Sequence, residues 1–238
     1  MFAPVSEIFC SVQGEGSYVG VRQAFVRFVG CNLNCSYCDT LQGGRDYCRF
    51  EKDPGTGVFE TLTNPLTVKM VEDMVRSFKN IHSVSLTGGE PLLHADFISR
   101  LHTSAPIYLE SNMTLPQMAK KIKDRVSYVA GDVKLMEEFE GEDFESHLDR
   151  TIECFRILKT TKKRDCFCKI VVTTNTVADD VIGIVSTISN YVSSVVLQPV
   201  NHSQKTASTK FLLDLQEHLL DKIDTRIIPQ THKMWGCL

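Results

Sequence analysis

The sequence lacks a long apolar run: no stretch approaches the roughly 18 consecutive apolar residues that a membrane-spanning helix needs. Its first residues, Met1 to Glu7, lack the basic head of a secretory signal. It also lacks an excess of basic residues, since 26 lysines and arginines stand against 29 aspartates and glutamates, which excludes an extended basic surface for nucleic acid. We therefore expect a cytoplasmic protein that handles a small molecule and has neither nucleic-acid nor membrane partners.

Cysteine, in contrast, is plentiful, with nine residues in the chain. Disulfides are typical of small secreted proteins, and a chain of this length does not need them, so reduced thiols and metal ligation are favoured. Cys10 and Cys154 have apolar neighbours and are predicted to be small buried side chains. Cys166 and Cys168 alternate at strand period, so their thiols share one face; a second metal site there is an open alternative.

Three further cysteines form the motif Cys31-Asn-Leu-Asn-Cys35-Ser-Tyr-Cys38. A closed structural zinc site takes four protein ligands, and an iron–sulfur cube has four irons to ligate. Three local thiolates therefore favour a cube whose remaining iron is open to a small molecule. The alternative is a structural zinc loop that a distant cysteine or histidine completes.

Strand and helix signals alternate through most of the chain, which predicts an α/β fold with a parallel sheet and helices outside it. Short apolar strands are predicted at Val5–Phe9, Gln23–Val29, Ser83–Leu86, Ile107–Leu109, Tyr128–Leu135, Lys169–Val172, Ser194–Leu197 and Arg226–Ile228. Apolar stripes at helical spacing follow Val68 to Phe78, Leu148 to Phe155, Val177 to Ile188 and Phe211 to Leu219, and Pro116 fits the first turn of another helix. Residues 1–238 are interpreted as a single domain, with an irregular insertion at about 41–62 that contains a short helix or a hairpin.

The motif Thr87-Gly-Gly-Glu90-Pro91 follows the predicted strand Ser83–Leu86. The carboxyl ends of parallel strands are where α/β sheets bind ligands. Glycines at such an end let the backbone approach a ligand, and Glu90 can pair with an ammonium group.

Taken together, these motifs resemble those of radical S-adenosylmethionine (SAM) enzymes, and the resemblance extends to the 7-carboxy-7-deazaguanine synthase family. The stretches that carry it run from one end of the chain to the other and are Ser11–Gly16, Phe25–Thr40, Leu86–Leu93, Leu109–Asn112, Leu197–Pro199 and Pro229–Lys233. The resemblance implies an incomplete parallel β/α barrel, a 4Fe-4S cluster on Cys31, Cys35 and Cys38, and SAM as cofactor. The SAM-binding positions that it implies are Tyr37, Cys38, Asp39, Gly88, Gly89, Glu90, Ser111, Asp132, Lys134 and Gln198.

The implied reaction converts 6-carboxy-5,6,7,8-tetrahydropterin to 7-carboxy-7-deazaguanine with loss of ammonia, in deazapurine (queuosine or archaeosine precursor) biosynthesis. The substrate carboxylate needs a fixed cation, for which Arg27 offers a planar fork; a surface arginine on an edge strand is the alternative. The guanidine-like pterin edge needs acceptors, which Gln13, Glu15 and Glu110 can supply. The implied substrate-binding set is Val12, Gln13, Gly14, Glu15, Arg27, Thr87, Glu110, His232 and Leu238.

The resemblance also implies a magnesium ion on Thr40, an electron donor of flavodoxin or ferredoxin type, and a homodimer. Magnesium prefers oxygen ligands and retains water, so a hydroxyl group plus substrate oxygens is a sensible set. Met113 stands where many family members have glycine, which argues against a left-handed turn there. Two other functions stay open at this point: a glycyl-radical-enzyme activase and a non-catalytic zinc-binding interaction module.

Overall fold

The computed structural model describes residues 1–35, 46–135, 143–200 and 205–237, and for Trp235 only the backbone. Its twelve strands are β1 (Phe2–Ala3), β2 (Val5–Val12), β3 (Arg22–Phe28), β4 (Tyr47–Phe50), β5 (Glu60–Thr63), β6 (Leu66–Thr67), β7 (Ser83–Gly88), β8 (Ile107–Ser111), β9 (Val126–Val133), β10 (Asp165–Val172), β11 (Val195–Pro199) and β12 (Thr225–Ile227). Its seven α-helices are α1 (Val68–Ser77), α2 (Ala95–Ile98), α3 (Pro116–Ile122), α4 (Phe144–Ile157), α5 (Ala178–Ile188), α6 (Thr209–Leu220) and α7 (His232–Trp235), and two short 3-10 helices span Gly16–Tyr18 and Pro91–His94. None of these helices has the length and apolar content of a membrane span.

Ten of the strands form one sheet in the order β12-β11-β10-β9-β8-β7-β3-β2-β4-β5. Every neighbouring pair from β12 to β3 is parallel. The pairs β3–β2 and β4–β5 are antiparallel, and β2–β4 is parallel. Among the described residues β12 and β5 stand at opposite ends of this order, so the predicted incomplete parallel barrel is confirmed.

The two faces of the sheet differ in composition. Side chains such as Val84, Leu109 and Val129 belong to the large apolar core beneath the helices. The residues that alternate with these core residues along each strand point to the inner face. There, a smaller apolar cluster is formed by Tyr108, Ala130, Phe167 and Val196 with Tyr18, Tyr128 and Ile228. Towards the carboxyl ends of the strands, polar side chains follow on this inner face because side chains alternate along a strand.

The helices follow their predicted stripes with differences in α4, α5 and α6. In α4, Leu148 and Ile152 are only partly buried, whereas the buried residues are His147, Thr151, Cys154 and Phe155. Val177 was predicted to belong to the stripe of α5, but it precedes the helix as its N-cap, with an extended backbone, and is 54% exposed. In α6 the buried residues are Leu212, Leu215 and Leu219, whereas Phe211 is only partly buried. The differences at Val177 and Phe211 arise at a helix start, where a sequence period does not show in which turn the first buried residue lies.

The predicted insertion is a hairpin over the residues that the structure describes. Strands β4 and β5 pair from Tyr47 opposite Thr63 to Phe50 opposite Glu60, while residues 41–45 lie outside the described residues.

The remaining cysteines meet the sequence expectation. Cys10 and Cys154 are buried, as predicted, and Cys166 and Cys168 both lie in the apolar core on the outer face of β10. Burial raises the pKa of both β10 thiols, so they pack as neutral side chains.

Candidate active site

Many of the residues predicted to bind ligands lie at the carboxyl ends of the parallel strands. Thr87 and Gly88 end β7, Glu110 and Ser111 end β8, Asp132 lies near the end of β9, and Gln198 lies near the end of β11. This is the end at which parallel α/β sheets bind ligands. Within the described residues, the buried Gln198 Oε1 has no hydrogen-bond partner, and such an orphaned acceptor fits a site that is completed by a ligand.

The two glycines after Thr87 bring the backbone into contact with the segment that leads to Cys31. The Gly89 amide donates to Phe28 O at 2.9 Å, and the Glu90 amide donates to Gly30 O at 2.8 Å. A Cβ atom on Gly89 would lie 1.9 Å from Gly30 O, and one on Gly88, where φ is +106°, would lie 2.4 Å from Phe28 O. Glycine is therefore required at both positions.

The Glu90 carboxylate is fully buried and joins the ends of β7 and β8. Oε1 accepts from the Leu92 amide at 2.9 Å and from Ser111 Oγ at 2.9 Å, and Oε2 accepts from the Asn112 amide at 2.7 Å. Burial raises the pKa of Glu90 to about 7 although these donors oppose the shift. A carboxylate has about four acceptor positions, so about one is left for a ligand.

The turn after β8 corrects the expectation for Met113. Met113 has a φ of 57° and is fully buried, so a left-handed turn does occur there without glycine. The Met113 amide donates to Ser111 Oγ at 3.0 Å. Asn112 Oδ1 accepts from the Thr114 amide at 3.2 Å and from Thr114 Oγ1 at 2.6 Å. The turn is thus fixed by several hydrogen bonds, which hold a conformation that costs a non-glycine residue energy.

Cys31 lies beside this turn and accepts hydrogen bonds at its sulfur. The Leu33 amide is 3.4 Å and Asn112 Nδ2 is 3.7 Å from Cys31 Sγ. Asn112 Nδ2 also donates to Asn32 Oδ1 at 3.0 Å, which ties the cysteine loop to β8. Donors directed at the sulfur stabilise a thiolate, so this environment fits an iron–sulfur ligand. Cys35 is half-buried in the same loop.

A buried polar network fills the inner face between β2 and β8. Gln13 Nε2 donates to Glu110 Oε1 at 3.0 Å and to Gln23 Oε1 at 2.9 Å. Glu110 also accepts from Ser85 Oγ at 2.7 Å and from Thr87 Oγ1 at 3.4 Å. Burial raises the pKa of Glu110. The structure thus brings Gln13, Thr87 and Glu110 together.

Glu15 lies next to this network and forms an ion pair with Lys169 of β10. Its second oxygen accepts from Gln230 Nε2 at 2.6 Å. Burial alone would raise the pKa of Glu15, but the Lys169 ammonium lowers it to about 2. Glu15 is therefore an ionised acceptor at neutral pH.

Lys169 is a residue that the sequence patterns did not single out. It is 7% exposed, and its ammonium group also lies 3.2 Å from Asp132 Oδ1. Lys134 Nζ contacts the other oxygen of Asp132 at 3.0 Å. The available signal was a lysine inside the apolar run of β10 (Asp165–Val172), because a lysine in a buried strand is rare unless it is paired.

Arg27 lies on an interior strand, since β3 stands between β2 and β7; the alternative of a surface arginine on an edge strand is wrong in that respect. Arg27 Nη1 pairs with Glu7 Oε2 at 2.9 Å, and the guanidinium carbon lies 4.8 Å from the centre of the Phe9 ring. Arg49 Nη1 pairs with the other Glu7 oxygen at 2.8 Å. Arg27 is half-buried, so part of its fork is accessible to a ligand.

The C-terminal segment covers the loop that follows β2. The Thr231 amide donates to Gly14 O at 2.9 Å, and a Cβ atom on Gly14 would lie 2.4 Å from His232 Nδ1. His232 therefore packs on Gly14 and close to Glu15. Val12, two residues before Gly14, ends β2 and is half-buried. The remaining predicted residues, Tyr37, Cys38, Asp39, Thr40 and Leu238, lie outside the described residues.

Comparison with known proteins identifies relatives that align with nearly the whole chain. The family model of the radical SAM superfamily matches residues 25–188. A 7-carboxy-7-deazaguanine synthase of Archaeoglobus fulgidus is 46% identical over 237 residues, which cover 99% of each chain. The 7-carboxy-7-deazaguanine synthase of Methanothermobacter thermautotrophicus is 35% identical over 255 aligned residues, with 99% of this chain and 98% of the relative covered.

Among solved structures, QueE from Escherichia coli has the same fold. The two chains are 20% identical and superpose with a TM-score of 0.57, over 98% of this chain and 95% of the other.

Proposed function

This chain belongs to the radical SAM superfamily and, within it, to the 7-carboxy-7-deazaguanine synthases, and from this membership we propose its reaction and the roles of its residues. The proposed reaction converts 6-carboxy-5,6,7,8-tetrahydropterin to 7-carboxy-7-deazaguanine with loss of ammonia. The observation that carries the proposal is a shared location. Cys31, with two N–H donors at its sulfur, lies at the same end of the sheet as the acceptor Glu110. Glu15 reaches the same inner face from the loop after β2, where it pairs with Lys169 of β10.

The cluster is proposed to bind to Cys31, Cys35 and Cys38, and SAM to bind beside it along Gly88, Gly89 and Glu90. When bound, the cluster and SAM supply the radical chemistry that removes a hydrogen atom from the pterin. The backbone contact of Gly89 with Phe28 supports this arrangement, because it holds the glycine motif against the cysteine loop.

Further SAM contacts are proposed for Ser111, Asp132, Lys134 and Gln198, and for Tyr37, Cys38 and Asp39. What supports the first four is their position at or just after the carboxyl ends of β8, β9 and β11, the end of the sheet at which Glu90 also lies. The orphaned oxygen of Gln198 fits a hydrogen-bond donor such as the adenine amino group.

On the pterin side, Glu15, Gln13 and Glu110 are proposed to accept hydrogen bonds from the guanidine-like edge. Arg27 is proposed to bind the carboxylate with the part of its fork that Glu7 does not occupy. Val12, Gly14, Thr87, His232 and Leu238 are proposed to complete the pocket. The position of Glu110 supports this assignment, because its carboxylate lies in a buried network on the inner face, where it accepts from Gln13 Nε2 and Ser85 Oγ and favours further N–H donors.

We further propose a magnesium ion on Thr40, a flavodoxin- or ferredoxin-type reductant, and a homodimer in the cytoplasm. These assignments rest on the family resemblance, and sedimentation of the purified protein would test the dimer. One domain over 1–238 is proposed because β2 to β5 and β7 to β12 share one sheet.

The experiment that tests the function is anaerobic product analysis. Reconstituted protein, SAM, dithionite and the carboxypterin should yield 7-carboxy-7-deazaguanine. Cys35→Ala should yield none, because a cube cannot be held by the two remaining thiolates. Cys154→Ala, which removes a buried core thiol, is the matched control and should remain active. Absence of the product in the parent protein, or full activity in Cys35→Ala, would contradict the proposal.

A further inference from the structure

Lys169 is a charged side chain in the interior of β10 that points to the inner face, between apolar residues of that strand. Its neighbours on the same face are Phe167, which is buried, and Val171. An ammonium group at 7% exposure is expensive unless it is paired with carboxylates. We therefore expect Lys169 to have a role that an apolar residue at this position could not fill.

Two carboxylates on different segments share this ammonium group. Glu15 belongs to the loop after β2, and Asp132 belongs to β9, with Oδ1 at 3.2 Å from Lys169 Nζ. Glu15 stands on the side of Gln13 and Glu110, whose oxygens and amide line the proposed pterin pocket. Asp132 stands on the side of Lys134, in the proposed SAM site.

We propose that Lys169 is a positioning residue that holds Glu15 as an ionised, fixed acceptor for the amino and ring N–H groups of the pterin. Through Asp132 the same ammonium group anchors Glu15 to the SAM side of the pocket. The inference rests on the proposed function, since it assigns Lys169 to the binding of that substrate.

The electrostatics of the neighbourhood require such a cation. Glu15, Glu110 and Asp132 are three carboxylates that face one buried space. Glu15 faces Lys169 from β10, Gln230 and His232 from the C-terminal segment, and Glu110 from β8. Gln230 can orient Glu15 but carries no charge. Without Lys169, burial and the neighbouring carboxylates would favour protonation of Glu15, which would turn an acceptor into a donor.

The directions of the pKa shifts of Lys169 and Glu15 agree with this geometry. Burial alone would lower the pKa of Lys169, but Asp132, Glu15 and Glu110 raise it well above the usual value, so the ammonium stays charged. Burial opposes ionisation of Glu15, yet its pKa falls to about 2, with Lys169 as the main lowering influence. Each partner therefore holds the other in its charged form.

The test measures binding without turnover. The probe is 6-carboxypterin, added anaerobically to holoenzyme with an oxidised cluster in the presence of SAM, and its fluorescence gives the Kd. Lys169→Met should weaken binding about 30-fold or more, as expected when one partner of a buried charge pair is removed. Lys169→Arg, which keeps the charge, should restore most of the affinity. Lys210→Met, which removes an exposed lysine paired with Asp214, is the matched control and should bind like the parent.

A double-mutant cycle assigns the effect to Glu15. In a Glu15→Gln background there is no charge left to hold, so Lys169→Met should weaken binding by less than about 3-fold. The pH profile gives a second readout. Glu15 should stay ionised in the parent between about pH 5.5 and 8, whereas in Lys169→Met the affinity should fall as the pH is lowered. A slope that persists in Glu15→Gln belongs to Glu110 or His232 and would remove this support for the inference.

The outcomes separate the two proposals. If the parent neither binds the carboxypterin nor forms the product, the proposed function is wrong and this inference falls with it. If the parent binds but Lys169→Met keeps the parental Kd and pH profile, only the inference is overturned. The inference is also overturned if both Lys169→Met and Lys169→Arg lose affinity equally and without a pH slope, because that pattern indicates a purely structural lysine. Should Lys169→Met fail to fold, Lys169→Gln, which is neutral but polar, replaces it in every arm.

Discussion

Replacing Gly89 by alanine is the sharpest test of how the glycine motif is joined to the cysteine loop. The new Cβ atom would lie 1.9 Å from Gly30 O and 2.5 Å from Gly30 C. Both are backbone atoms, so no side chain can rotate away to make room. The two segments must therefore move apart.

The size of the effect follows from the contacts that such a movement breaks. The Gly89–Phe28 and Glu90–Gly30 hydrogen bonds, at 2.9 and 2.8 Å, would be lost or stretched. Each buried group left unpaired costs about 1–3 kcal/mol, and overpacking adds about 1–3 kcal/mol. We expect a loss of about 3–6 kcal/mol in the free energy of unfolding, a large fraction of the about 5–15 kcal/mol of a typical protein.

The assay compares two glycine-to-alanine substitutions by anaerobic thermal unfolding. One kcal/mol corresponds to about 2–4 °C in a chain of this size, so Gly89→Ala should lower the Tm by at least about 6 °C. Gly183 lies inside α5 with nothing within 4 Å of an added Cβ atom. Gly183→Ala should therefore raise the stability by about 0.5–1 kcal/mol, because alanine is the better helix former.

A Gly89→Ala protein that unfolds within about 2 °C of the parent would contradict this account of the motif. Such a result would mean that the motif can separate from Gly30 at no cost. An equal loss in Gly183→Ala would instead show that the assay does not distinguish close approach from a general effect of the substitution.

Three further predictions concern ligands. Arg27→Ala should weaken binding of 6-carboxypterin by about 1.5–3 kcal/mol, the contribution of hydrogen bonds to a charged group. Arg27→Lys should restore only part of this affinity, since lysine lacks the planar fork, and an unchanged Kd in Arg27→Ala would remove Arg27 from the site. SAM affinity should fall as the pH drops below the Glu90 pKa of about 7, because a protonated carboxyl does not attract the methionine ammonium; the assay is equilibrium dialysis with an oxidised cluster. Glu90→Gln should flatten this pH profile, and a flat profile in the parent would count against the pairing. Magnesium should raise turnover in the parent and much less in Thr40→Ala, while iron content stays equal; an identical magnesium response would exclude the hydroxyl as ligand.

The arrangement of the sheet could be predicted because each parallel strand is a short apolar run. Such runs are typical of strands buried on both faces, and β7, β8, β10 and β11 are largely strands of this kind. The carboxyl-end position of Glu90 then followed from strand direction, whereas Ser111 and Asp132 were implied by the family resemblance. Local spacing also identified the cysteine motif.

Contacts between distant segments could not be predicted in this way. Glu15 and Lys169 are separated by 154 positions in sequence, and no local period relates them. Gln230 reaches Glu15 over 215 positions. The motif around Glu15 was visible in the sequence, yet the cation that sets its ionisation becomes visible only when β10 is placed opposite the loop after β2.

At Met113 the expectation that a left-handed turn needs glycine was wrong, because the turn is present without it. A left-handed conformation costs a non-glycine residue about 1–2 kcal/mol. Burial of a methionine side chain contributes about 1.5–3 kcal/mol, which offsets that cost. The side chain fits because its neighbour is Gly131, where an added Cβ atom would lie 3.0 Å from Met113 Cγ and 2.6 Å from the Phe155 ring. Glycine is thus required not in the turn itself but at Gly131 on the neighbouring strand β9. The turn keeps its shape because Asn112 must present its amide to Glu90 and its side chain to Cys31 at once.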